Sequence, residues 1–254
     1  MESVNRIGAQ SVLAFTTIIG GASLLGFVLF LFMGPFVGMD FGFDPVYRLV
    51  FDGMLCLGFF VQHSVMIRKS FRLGLARFIP EHFHGATYAV ASGLALLAML
   101  GLWQETGQTF LSLSGGLRLL TRLVSGLALF GFAWGVSSLR GFDTLGLRPI
   151  KARLRGKEVR DEAGPLVIEG AYRWVRHPLY FFMLVLFWSF PDLTSDRLLF
   201  NLLWTGWVVI GTTLEERDLV AKFGNAYVEY QDNVPMLIPR RPPASRQTHP
   251  SVLS

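Results

Sequence analysis

Six stretches of this chain are too apolar and too poor in charge for the surface of a soluble protein: 12–33, 46–67, 86–103, 117–139, 179–191 and 198–214. A hydrocarbon layer about 30 Å thick takes roughly 20 residues of helix. Lipid cannot satisfy stray backbone N–H and C=O groups, so runs of this kind fold as membrane helices. Five of the six approach that length. The run at 179–191 is only about 13 residues and must either extend backward to a start near Trp174 or be partly re-entrant. The pattern predicts an all-α, polytopic integral membrane protein with about six transmembrane helices, or five if 179–191 is re-entrant. Composition agrees, at 52% apolar, 16% charged and a mean hydropathy of +0.45. The first run is too long for a signal peptide and lacks a basic leader, so it is expected to be retained.

With six crossings, the N-terminus, the connectors 68–84 and 140–177 and the tail share one side. That side carries 19 of the 23 Lys and Arg, leaving Arg48, Arg118, Arg122 and Arg197 opposite. The positive-inside bias then places both termini in the cytoplasm. It also accounts for the net charge of +5 without a nucleic-acid partner. Cys56 is the single cysteine, which excludes an intramolecular disulfide and a cysteine metal site. His82 and His84 have no third ligand near them in sequence and read as loop residues, so no metal is expected. The chain divides into a four-helix membrane part (1–139), a cytoplasmic loop with a C-terminal helical hairpin and tail (140–239), and a polar end (240–254). No internal repeat is visible, and no obligate protein partner is evident.

The chemistry gathers at one boundary. GAYRWVRHPLY (170–180) sets arginines, aromatics and a His-Pro step against the start of an apolar helix. Pro178 suits a first helical turn and pushes His177 out of α geometry, leaving Arg176 and His177 at the corner. The turn at 192–197 makes the next helix an antiparallel neighbour, so Glu215 and Glu216 return to the depth of His177. Tyr180 lies nearly one turn from His177 and can share its face. A zwitterionic cofactor with an aromatic base asks for Arg or His⁺ at its carboxylate, Glu at its ammonium and an aromatic wall. Snorkelling anchors explain Arg173 and Trp174 as well, and a plain Glu–Arg pair would explain Glu216. They explain His177 with Glu215 less well, because an acid gains nothing beside an anionic leaflet. The end of the chain, VPMLIPRRPP, reads as a polar segment without order.

GAYRWVRHPLY, the apolar hairpin and LEERDLVAKFGNAYVEYQDNVPMLIP together resemble the C-terminal half of the isoprenylcysteine carboxyl methyltransferase superfamily of integral membrane proteins. The resemblance covers about residues 165–239. It implies an S-adenosylmethionine pocket lined by Tyr172, Arg176, His177, Pro178, Tyr180, Glu215 and Glu216. The N-terminal half, QHSVMIRKSFRLGLARFIPE and HGATYAVASGLALLAMLGLWQ, is similar to the bacterial branch of methanethiol S-methyltransferases and NnrU-like proteins. That implies a bacterial inner membrane and transfer of a methyl group to a small thiol, with dimethyl sulfide as product. GFDTLGLRPI resembles the same branch through Phe142, Asp143, Gly146, Leu147 and Arg148. It departs from it at Gly141, where a His is expected, and at Pro149, where a Gln is expected; both bear on the acceptor.

Methyl transfer from a sulfonium needs two reactants held in line in a dry pocket and no metal. No G-x-G-x-x-G follows a strand, so a soluble cofactor domain is not expected. A thiol must lose its proton, and His63, Asp143 and Arg148 are the catalytic candidates. Against these stand an interfacial His63 and a turn or cap role for Asp143. A lipid or prenylcysteine methyltransferase would keep the same corner with a wider lipid-facing opening. A non-enzymatic accessory protein would use the helices as scaffold and would not need the His177–Glu215–Glu216 constellation.

Overall fold

The computed structural model describes residues 2–36, 38–139, 143–157 and 166–243. Gly141, Phe142 and most of the polar end at 240–254 lie outside the described residues. In chain order the elements are α1 (Glu2–Met33), α2 (Pro45–Ile67), α3 (Lys69–Leu75), α4 (His84–Leu102), β1 (Thr109–Ser112), α5 (Gly115–Ser138), α6 (Arg148–Leu154), α7 (Pro178–Trp188), β2 (Asp192–Thr194), α8 (Ser195–Phe223) and α9 (Asn225–Asn233). Among the described residues, α1, α2, α4, α5 and α8 are long and apolar enough to cross a membrane, and α7 is shorter. The protein is an all-α, polytopic integral membrane protein.

The expected turn at 192–197 and the connector before α5 are more ordered than plain loops. Residues 109–112 and 192–194 pair as a two-stranded sheet, β1 with β2. Asp196 and Arg197 are buried rather than displayed on a turn. The segments are too short for hydropathy to reveal them, because their pairing is set by tertiary contact.

The chain forms two compact units. The first contains α1 to α4, α6 and the start of α8. Asp44 caps α2 by accepting the N–H groups of Val46 (3.0 Å) and Tyr47 (3.1 Å), with Pro45 in the first turn. Helix α4 packs against both α1 and α2. A Cβ at Gly93 would meet Ile19 and Ser23 of α1 at 3.1 Å, so glycine sets how closely these backbones approach. The last turn of α1 leaves carbonyls with no helical partner. Arg197 donates to one of them, Leu31 O (3.2 Å), and to Phe30 O (3.4 Å), which also accepts from Gly34 N, and lies over the Phe30 and Phe200 rings. Asp196 accepts from Trp103 Nε1 and Thr106.

The second unit contains α5, α7, most of α8 and α9. Helix α5 packs on α7. A Cβ at Gly131 would lie 2.2 Å from Phe182 Cε1, so the absence of a side chain there admits the Phe182 ring. The outer face of α5 leaves Leu120, Leu127 and Phe130 exposed, as a lipid-facing surface requires. Helices α7 and α8 run antiparallel in register. Trp188 Nε1 donates to Thr205 Oγ1 (3.1 Å) at one end, and His177 meets Glu216 at the other. After Gly224, at φ +57°, α9 turns back. It is held by Tyr227, Tyr230 and Val234, packed with Leu166, Ile168, Leu219, Val220 and Phe223.

Candidate active site

The corner at the start of α7 is built from the backbone outward. His177 has φ −124° and ψ 66°, outside the helical region that the following Pro178, which begins α7, disfavours. Freed from the helix, the N–H groups of Arg176 and His177 donate to Pro235 O (2.9 Å) and Met236 O (3.1 Å). The segment 234–237 is therefore ordered, contrary to the expectation from its sequence, and Val234 and Leu237 are buried. Backbone pairing supplies an order that composition does not reveal.

Glu216 is the hub of this corner. Its Oε1 accepts from Arg176 Nε (2.9 Å), His177 Nε2 (2.6 Å) and the Tyr227 hydroxyl (2.8 Å). Its Oε2 accepts from Arg176 Nη2 (2.7 Å) and Gln231 Nε2 (2.6 Å). Arg176 thus grips the carboxylate with a two-pronged fork. Its Nη1 donates to the carbonyls of Gln231 (3.0 Å) and Val234. All these side chains except Gln231 and the phenol come from the two segments singled out in the sequence. Tyr227 and Gln231 were missed. They are four residues apart on α9, and i,i+4 spacing of an aromatic and an amide in a polar tail was the one available signal.

Glu215 differs sharply from its neighbour. Its side chain is 44% exposed, against 9% for Glu216, and its carboxylate lies 3.8 Å from His177 Nδ1. The His177 ring stacks on Tyr180, with centroids 5.7 Å apart and planes 21° apart. Burial, with the Glu215 charge second, raises the Tyr172 phenol above its ordinary range. Burial first, then the hydrogen bond to Glu216, raises Tyr227 in the same way. Both phenols stay protonated at neutral pH. Tyr230 donates to the Tyr172 carbonyl, tying α9 to the turn that precedes His177. Trp174 is exposed and Pro178 is buried.

A cavity of about 440 Å³, lined by Thr213, Glu216, Arg217, Val220, Gln231 and Met236, borders the hub. Its volume is in the range of small-ligand sites. The Glu215 carboxylate is thus accessible beside the stacked His177 and Tyr180 rings, and the cavity adjoins Glu216. Among the described residues no group of three or more His, Cys, Asp or Glu could hold a metal ion.

The three catalytic candidates belong to the first unit. His63, on α2, has its ring nitrogens 2.7 and 3.0 Å from the Tyr88 hydroxyl on α4. Asp143 accepts the N–H groups of Leu147 (3.0 Å) and Arg148 (2.7 Å), so both its oxygens cap the start of α6. Arg148, the first residue of α6, is exposed.

Fold and site define a membrane-embedded protein with a polar, carboxylate-bearing corner at the end of a helical hairpin. The chain is 37% identical to a methanethiol S-methyltransferase of Pseudomonas deceptionensis over 207 residues, covering 78% of this chain and 76% of the relative. A protein of the same name from Mycobacterium tuberculosis is 34% identical over 204 residues, 77% and 80% of the two chains. One from Crocosphaera subtropica is 32% identical over 232 residues, 89% and 88%. The chain belongs to the methanethiol S-methyltransferase family. No protein-family model matches it, and no solved structure does.

Proposed function

We propose that the protein is an S-adenosylmethionine-dependent methyltransferase of small thiols, with methanethiol as acceptor and dimethyl sulfide as product. The observation that carries this reading is the accessible Glu215 carboxylate beside the His177–Tyr180 stack, in a chain whose relatives bear that enzyme's name. Tyr172, Arg176, His177, Pro178, Tyr180, Glu215 and Glu216 form the donor site. Glu215 offers charge to an ammonium, Tyr180 and His177 a flat wall to a base, and Arg176 with Glu216 the rigid floor. Bound there, S-adenosylmethionine would supply an activated methyl group; the S–CH3 bond of its sulfonium would break as the thiol sulfur forms its own bond to that methyl, leaving S-adenosylhomocysteine, a thioether product and the thiol proton. His63 is the residue we assign to accept that proton, because an imidazole nitrogen can take one and the ring is held by Tyr88. Asp143 shapes the turn that presents Arg148. We place the protein in a bacterial inner membrane, by its likeness to bacterial relatives, with both termini cytoplasmic on the strength of its charge bias.

Headspace gas chromatography over cells fed methanethiol tests the reading, with Glu215→Ala as control. Dimethyl sulfide from the wild type alone is the expected result. No product from a purified protein that still binds S-adenosylmethionine would remove the thiol and keep the methyltransferase.

A further inference from the structure

Glu215 and Glu216 enter the donor-site reading as a pair, but the geometry separates them. A carboxylate offers about four lone-pair directions. Glu216 already receives three donors on Oε1 and two on Oε2, all from this chain. No direction is left for a ligand's ammonium. Because a carboxylate only accepts, His177 Nε2 must carry the proton of the 2.6 Å bond, and this fixes the ring with Nδ1 toward Glu215. The orientation of His177 therefore depends on where Glu216 points.

Two of the five donors to Glu216 come from α9 and not from the α7 corner. Tyr227 shares Oε1 with His177, and Gln231 holds Oε2 while also lining the cavity. We infer that Tyr227 and Gln231 are positioning residues of the donor site: they fix Glu216, Glu216 fixes His177, and Glu215 alone is left to receive the donor's ammonium. The inference rests on the donor-site reading above. Without the Tyr227 hydroxyl the carboxylate can pivot about the Arg176 fork, and the imidazole turns with it. Without Gln231 the opposite oxygen is released. The helix α9 is thus part of the binding machinery, although neither side chain need touch the ligand's reactive atoms.

The test is isothermal titration of the purified, full-length protein in detergent with S-adenosylmethionine, paired with thermal melting. Tyr227→Phe keeps the ring and removes only the hydroxyl; Gln231→Met keeps the length and removes the amide. Each is expected to raise the Kd about tenfold, the size of a lost hydrogen bond to a charged group, in a protein that still melts cooperatively. Glu215→Gln is expected to lose binding and keep its melting temperature. Lowered melting temperatures with an unchanged Kd would make α9 a structural prop only and overturn the inference while leaving the donor site standing. Wild-type binding retained by Glu215→Gln would overturn the assignment of the ammonium to that residue. A wild type that binds no S-adenosylmethionine would take down the donor-site reading and the inference together. If one α9 variant does not fold, the other carries the same comparison.

Discussion

Adjacent carboxylates in one helix are expected to respond to mutation in opposite ways. Glu216 is buried in an ion pair with Arg176, and removing one partner leaves an uncompensated charge. Glu216→Ala should lower stability by about 3–5 kcal/mol, read from unfolding in detergent. Glu215→Ala, with its side chain half in solvent, should stay within about 0.5 kcal/mol of the wild type. Tyr227 adds a pH signature. Its folded pKa is raised, so its protonated form is favoured in the native state. That contribution is complete below the unfolded tyrosine value of about 10 and is lost as pH rises toward the folded one. The unfolding midpoint should therefore fall above about pH 10, and less steeply in Tyr227→Phe. At this scale the sequence made Arg176, His177 and the two glutamates legible, because a His-Pro step and paired acids at an apolar boundary have few mundane explanations. It did not show which glutamate is occupied internally. That follows from Tyr227 and Gln231, whose position depends on the docking of α9 through the Tyr227–Tyr230–Val234 cluster.

Helices α5 and α7 touch where Gly131 leaves room for Phe182. Gly131→Ala puts a methyl group inside that ring's volume and should cost about 1–3 kcal/mol, measured as a lower melting temperature. At the start of the short α6, Asp143→Ala removes the acceptor for the N–H groups of Leu147 and Arg148. A cap of this kind is worth about 1 kcal/mol, so faster hydrogen exchange at Leu147 and Arg148 is the expected readout. The long helices were legible from the apolar runs because lipid demands both length and internal hydrogen bonding. The strands β1 and β2 were not, since segments of three and four residues carry too little pattern. Helix α7 could be read only as short. Its 11 residues make about 16 Å of helix, which is less than a hydrocarbon core.

For the whole molecule, that short helix decides the topology. If the chain from α7 through β2 crosses, the termini share a side, as the distribution of Lys and Arg leads one to expect. Fluorescent-protein fusions to either terminus should then both be fluorescent in the cytoplasm, and alkaline phosphatase fused after Asp192 should be active outside it. The same fusions dark at one terminus would make α7 re-entrant. A different constraint follows from the bonds that Arg176 and His177 make to Pro235 and Met236. Those contacts use main-chain carbonyls, which every amino acid possesses. Positions 235 and 236 can thus change identity without losing these bonds, while the number of residues between Gly224, where α9 turns, and Met236 is held by them. Insertion or loss of one residue there would slide the carbonyls out of step with their donors, so related sequences should vary in letters at 235 and 236 and hardly at all in length between 224 and 236.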